Sequence, residues 1–213
     1  MKIETKKWVL EIETEQDPQN PRSLDFTDCN VTNMVCFHNR YNLGDKHNYN
    51  QSDYKSWDEL EAAIVKNEKV AVIEPLYIYD HSGITISTTP FNCRWDSGQV
   101  GFIYITKEKV LKELAPDKKY FTKKLMQKAI DAINCEVETY DQYITGEVYW
   151  FNTENLETGE QDSCGGFYGS NIWKSGIADH MDVECIVDLY TQLKAEFGES
   201  KEFEEIIKKA LND

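Results

Sequence analysis

Between Val70 and Thr106 the chain strings together three β-rich runs: VAVIEPLYIYD (70–80), GITIS (83–87) and GQVGFIYIT (98–106). Val, Ile, Tyr and Phe in such runs suit the pleated, half-buried surface of a sheet. A short turn and the loop TTPFNCRWDSG (88–98) separate them. Pro75 lacks an N–H, which confines the first run to a sheet edge or forces a bulge. A domain built round this chain must therefore be organised on clustered strands.

The flanking segments agree. WVLEIETE (8–15) begins apolar and then alternates, as a strand does, and NMVCFHNRY (33–41) reads as a second strand ending at Asn42 and Gly44. SWDELEAAIVKN (56–67) is a helix with a Ser56/Glu59 capping box and an apolar stripe of Leu60, Ile64 and Val65. Thr106 caps KEKVLKEL (107–114), which stops at Ala115–Pro116, and helix resumes from Thr122 to Tyr140. GEVYWFN (146–152) is a strand, LETGEQDS (156–163) a hairpin turn, and CGGFYGS (164–170) a glycine-rich bend. Residues 177–196 and 200–212 read as two helices broken at Phe197–Gly198. Strands cluster and helices follow, which predicts an α+β fold with an antiparallel or mixed sheet packed with helices. The expected division is an α+β core over 1–170 and an acidic helical C-terminal part, 171–213, packed on it. No G-x-G-x-x-G or G-x-x-x-x-G-K-[ST] occurs, so neither a standard dinucleotide site nor a P-loop is indicated.

Charge narrows the partners. Asp and Glu number 38 against 23 Lys and Arg, a formal −15, and residues 153–213 alone hold 14 against 5. A phosphate backbone is repelled by such a chain unless a local basic patch exists. No basic run exceeds two adjacent residues, as at Lys118–Lys119 and Lys123–Lys124, so direct nucleic-acid binding is not expected. The same charge attracts proteins that bear basic surfaces. MKIETKKWVLEIE lacks the continuous apolar stretch of a signal peptide, and no apolar run is long enough to span a membrane. The six cysteines form no C-x-x-C pair, and the expectation is a cytoplasmic chain with reduced thiols.

Candidate chemistry is scattered. Cys36 and His38, two apart on a strand, share a face and suit zinc, yet no second ligand pair has metal spacing, so neither a metal nor a cofactor is expected. Cys164 in DSCGGFYG could serve as a nucleophile beside glycine N–H groups, with a base from His38, His81 or His180; a tight bend explains the same residues. Asp80, His81, Trp95 and Asp96 cluster about the central loop and, with Cys164, are the candidate pocket residues. Trp57, Trp95, Trp150 and Trp173, with Tyr77, Tyr79, Tyr149 and Tyr168, supply either a binding surface or a core. The candidate acidic surface is Asp179, Asp182, Glu184, Asp188, Glu196, Glu199, Glu202, Glu204 and Glu205.

Several blocks are long and compositionally odd: MVCFHNRYNLGDKH (34–47), YDHSGITISTTPFNCRWDSGQVGFIYITKE (79–108), DQYITGEVY (141–149) and DSCGGFYG (162–169). Together, over roughly 17–170, they resemble a family of uncharacterised proteins of bacteriophages, prophages and mobile elements. The resemblance supplies a context and no activity. Small acidic phage proteins often act as inhibitors of host defence, and by that analogy the expectation is a phage-type accessory protein. It would bind and inhibit a host nucleic-acid-handling defence complex, such as a restriction or CRISPR effector, through its acidic surface. The alternative is a small-ligand- or nucleotide-binding domain, enzymatic or not, with a pocket near residues 80–98 and 164–169.

Overall fold

The computed structural model describes residues 1–23, 29–117 and 120–210 of the 213. The Lys118–Lys119 pair and the last two positions of the 200–212 helix lie outside the described residues. The architecture is α+β, with two four-stranded antiparallel sheets. The chain divides into two compact units, one made of Met1–Gln19 with Gly146–Asp213 and the other of Asn20–Thr145. The boundary expected at 170/171 therefore falls inside the first unit. The physical reason is strand pairing: β2 (Trp8–Thr14) runs antiparallel to β7 (Val148–Asn155) along its whole length, from Trp8↔Asn155 to Thr14↔Tyr149.

The first unit carries the sheet β1-β2-β7-β8, with β1 at Lys2–Glu4 and β8 at Gln161–Tyr168. The segment read as a glycine-rich bend is thus mostly strand. Tyr149 pairs with Phe167 and Phe151 with Cys164, so Gly165 and Gly166 together oppose Trp150 as a bulge. Helices α4 (Ile172–Ser175), α5 (Ile177–His180), α6 (Val183–Phe197) and α7 (Lys201–Ala210) follow. The helix expected over 177–196 is interrupted near Met181, and Asp182 starts α6 by accepting from Glu184 N at 2.7 Å. Leu10, Ile12, Phe151 and Phe167 from the sheet form one core with Ile186, Leu189 and Leu193 of α6 and Phe203 of α7.

The second unit carries the sheet β3-β6-β4-β5: Asn33–Cys36, Ser97–Thr106, Val70–Asp80 and Ile84–Ser87. β6 is buried on both faces. Ile103 and Ile105 pack with Leu125, Ala129, Ile133 and Val137 of α3 (Lys123–Thr145), while Phe102 and Tyr104 pack with Leu60 and Ile64 of α1 (Trp57–Glu68). A doubly covered strand reads as a continuous apolar run, which is what VGFIYIT is. Gly101 is required there: a Cβ would stand 1.9 Å from the Val35 carbonyl oxygen of the neighbouring strand. β5 pairs only with Tyr77–Asp80, so β4 is an edge at Pro75, and a register shift follows at Leu76/Tyr77.

Elsewhere local signals acted as the residues suggest, with two further exceptions. Ser56 accepts from Glu59 N at 3.3 Å, and Thr106 accepts from Lys109 N at 3.2 Å to open α2 (Lys107–Lys109), which runs into a π-helical turn, Val110–Leu114. Val65, read as part of the buried stripe of α1, is 42% exposed. β3 stops at Cys36, well short of Tyr41, because the backbone turns to wrap round His38.

Candidate functional site

The loop that leaves β3 is anchored by an ionic knot. Arg22, 5% exposed, donates Nε to Asp45 Oδ1 at 2.8 Å and Nη2 to Asp45 Oδ2 at 2.5 Å. Its Nη1 reaches Glu136 Oε2 of α3 at 2.6 Å, and Thr32 takes the remaining donors at 3.2 Å. Burial works against the guanidinium charge, and Asp45 and Glu136 outweigh it, so the Arg22 pKa is raised. Gly44, at φ +70, lets the loop come against β3: a Cβ would lie 2.7 Å from Met34 O, and its N–H donates to Tyr140 Oη at 2.9 Å.

On this platform His38 is turned by its own backbone. The N–H groups of Arg40 and Tyr41 both donate to His38 Nδ1 at 3.2 Å. The ring proton then sits on Nε2, which faces Asp80 Oδ2 at 3.5 Å. Arg40 donates to the same carboxylate oxygen, and Tyr41 stacks on His38 with centroids 5.1 Å apart. An open cavity of about 690 Å³ lies along this loop, lined by Phe37, His38, Tyr41, Lys46 and His47 among others. His47 Nε2 faces Cys36 O at 3.1 Å, and its Nδ1 is buried without a partner among the described residues.

Asp80 also begins the second half of the site. Its N–H donates to Asp96 O at 2.7 Å, which ties the end of β4 to the loop before β6. His81 Nδ1 lies 3.3 Å from Asp96 Oδ2, and the Cys93 thiol donates to the same oxygen at 3.7 Å. Trp95 projects outward from this turn and is 94% exposed. Asp141 of α3 holds the outer strand by accepting from Thr85 Oγ1 at 2.7 Å and Ile86 N at 2.8 Å. Two of the four compositionally odd blocks thus meet in the second unit, together with Asp141 at the start of a third that crosses into the first unit at Gly146.

Of the candidate pocket residues, Asp80, His81 and Asp96 are brought together, with Trp95 on the same turn. Cys164 belongs to the first unit, where its thiol approaches only Gly165 O, at 3.8 Å. Sequence reasoning missed the His38–Asp80 pair, whose only signal was that both sit in distinctive blocks. Cys36 is buried in the core, where burial pushes its thiol up to about 12, away from the thiolate form that zinc binds. Among the described residues no group of three or more His, Cys, Asp or Glu side chains could hold a metal ion. Among them, too, no cysteine or serine side chain hydrogen-bonds an imidazole, although the Cys93 thiol shares the Asp96 carboxylate oxygen with His81. The eight aromatic residues noted in the sequence divide evenly between the units, with Trp57, Trp95, Tyr77 and Tyr79 in the second. No helix among the described residues is long and apolar enough to cross a membrane.

The candidate acidic surface lies wholly in the first unit. That unit holds 20 Asp/Glu and 8 Lys/Arg, a formal −12, whereas the second holds 18 and 15, a formal −3. Of the nine candidate carboxylates all but Glu204 are exposed. Glu184 pairs with Lys7 at 3.0 Å, Glu199 with Lys194 at 2.6 Å, and Glu204 accepts from Tyr190 Oη at 3.2 Å. Lys194 holds the Glu199 carboxyl below its ordinary value. Asp188 accepts from Thr5 Oγ1, and Asp182 caps α6. Asp179, Glu196, Glu202 and Glu205 have no side-chain partner among the described residues.

No family profile, no curated protein and no solved structure matches this chain.

Proposed function

We propose that the protein is a phage-type accessory protein that binds and inhibits a host nucleic-acid-handling defence complex, meeting a basic surface of that partner with the acidic surface of its first unit. The observation that supports the reading is the segregation of charge, −12 in one unit against −3 in the other. Asp179, Glu196, Glu202 and Glu205 are its contact residues, because folding does not engage their carboxylates. The test is capture of partners from bacterial lysate on the immobilised full chain, followed by titration of the purified partner. Binding weakens steeply between about 50 and 500 mM salt, since exposed charges are screened over a Debye length of about 10 Å at 0.1 M. The variant E196K/E202K/E205K loses the partner and the inhibition while keeping the wild-type melting curve. Salt-independent association, or wild-type affinity in that variant, refutes the reading.

A second reading has its own observation. The cavity along residues 36–51 carries a buried His47 Nδ1 that lacks a donor, and its wall includes His38, which is held by Asp80. About 690 Å³ is within the range of small-ligand sites. On this reading the second unit takes a small polar ligand. Saturable binding of a small polar ligand or nucleotide that H38A or D80A abolishes, with the acidic residues intact, favours it over the first.

A further inference from the structure

Positions 107–128 hold eight Lys against three Asp/Glu, a formal +5 inside a chain of −15. The lysines are never more than two in a row, which hides the excess from a search for basic runs. Part of it is concentrated over nine positions. The stretch YFTKKLMQK, Tyr120–Lys128, has three lysines and no carboxylate. Lys123, Lys124 and Lys128 are exposed, and none has an ion-pair or hydrogen-bond partner among the described residues. Two lysines earlier in the stretch are engaged: Lys112 pairs with Glu113 at 2.8 Å, and Lys109 Nζ donates to Asn30 O at 3.0 Å. Of the flanking carboxylates, Asp131 accepts from Gln127 Nε2 at 2.9 Å.

Apolar surface accompanies this charge. Nine large apolar side chains are exposed among the described residues, and three of them fall here: Tyr120 at 81%, Phe121 at 38% and Met126 at 43%. Neither aromatic ring contacts another ring among the described residues. The core does not require their exposure, because α3 meets it through Leu125, Ala129 and Ile133. Bare aromatic faces interleaved with unpaired lysines are the elements of a single-stranded nucleic-acid contact, where bases stack and phosphates meet cations.

We propose that Tyr120–Lys128 is a contact site for single-stranded nucleic acid, with Lys123, Lys124 and Lys128 on phosphates and Tyr120 and Phe121 stacked on bases. A duplex fits less well, since its bases are already stacked on one another. A lipid surface fits less well too, because an interfacial helix needs a long apolar face and that of α3 is spent on the core. The proposal goes beyond the acidic-surface reading and is independent of it, since the residues lie in different units.

The experiment is fluorescence anisotropy of 5′-labelled dT20 titrated with the full chain, beside a 20-bp duplex and 3:1 phosphatidylcholine:phosphatidylserine vesicles. At 50 mM salt dT20 binds, with log K falling against log salt with a slope of about −2 for three neutralised phosphates. K123E/K124E/K128E removes binding. Y120A weakens it roughly 5- to 150-fold, the loss of one stacked base, and Y120F restores it. All these side chains are exposed, and matching circular dichroism and melting curves verify that the variants fold. No binding of dT20 at 100 μM protein overturns the proposal. So does equal affinity for duplex or vesicles, or wild-type affinity in Y120A. Salt-sensitive oligomers that K123E/K124E/K128E disperses, without dT20 binding, would assign the patch to a second copy of the chain and also overturn it. None of these results bears on the acidic variants, so the two readings stand or fall separately.

Discussion

Replacing Arg22 with Met tests the architecture beneath the candidate site. The five N–H donors of the guanidinium are all used, on Asp45, Glu136 and Thr32. The side chain is 1% exposed and the two carboxylates 17% each. The substitution keeps the volume but leaves two largely buried carboxylates without a cation. Breaking such a pair costs about 3–5 kcal/mol. The lower end applies, because both carboxylates keep backbone donors: Met34 N to Asp45 at 2.7 Å and Val31 N to Glu136 at 2.7 Å. With a urea m value of about 2 kcal/mol/M, the midpoint falls by about 1.5 M. R22K retains the charge but not the fork and falls between. The triple variant R22M/D45N/E136Q, which removes the stranded charges as well, recovers more than half of the loss. Urea unfolding followed by tryptophan fluorescence reads the midpoint, and hydrogen exchange on peptides from residues 29–50 and 130–140 locates the loosening. A midpoint shift below about 0.3 M in R22M, or no recovery in the triple variant, would show that the knot does not hold the 36–47 loop.

Four further outcomes rest on the fold. G101A drives a methyl group into the Val35 carbonyl at 1.9 Å, so it destabilises the second unit by at least about 3 kcal/mol, read as loss of the folded baseline or a large drop in urea midpoint. D141A strips the outer strand of its two bonds to α3 and costs about 1–2 kcal/mol by urea unfolding, with faster exchange at Ile86. Cys36 and Cys185 are buried, and burial pushes each thiol from 9.0 up to about 12, so the folded state favours the protonated form. Their contribution to stability is whole below about pH 9 and is lost as pH rises to about 12, a fall that C36A/C185A shallows in urea midpoints taken across that window. At pH 8 iodoacetamide accordingly labels exposed Cys29 and Cys135 first and these two last, as peptide mass spectrometry will show.

What could be read from the sequence was local chemistry. Ser56, Thr106 and Gly198 mark helix ends through contacts within a few residues, and the β-rich runs 70–80, 83–87 and 98–106 became β4, β5 and β6. Pro75 behaved as a residue without an N–H must, at a local edge beside a register shift. What escaped was non-local. Nothing in WVLEIET says that its partner lies some 140 residues on, in β7, yet that pairing decides the two units. The core face of α1 is fixed by contact with Phe102 and Tyr104, which is why Val65 stays outside it. At the candidate site the sequence grouped Asp80, His81 and Asp96 about the central loop, and the Asp80 N–H to Asp96 O bond brings their two turns together. The pairing of His38 with Asp80 was hidden because its orientation depends on two backbone N–H groups and a carboxylate from a distant strand.

The uneven charge carries a further consequence. A chain of −15 is expected to avoid phosphate, but that expectation averages over two units that differ by nine charges. Screening over about 10 Å at 0.1 M salt makes a partner respond to the nearest charges and not to the sum. A nucleoprotein target offers both kinds of surface, a basic protein groove and the strand held in it. On the two proposals, the carboxylates at 196, 202 and 205 would meet the first, and the lysines at 123, 124 and 128 would meet the second. The two contacts then carry salt dependences that add when both are engaged, so removing the nucleic acid from the target should shallow the salt slope of complex formation by about 2. An unchanged slope would mean that the acidic surface alone makes the complex.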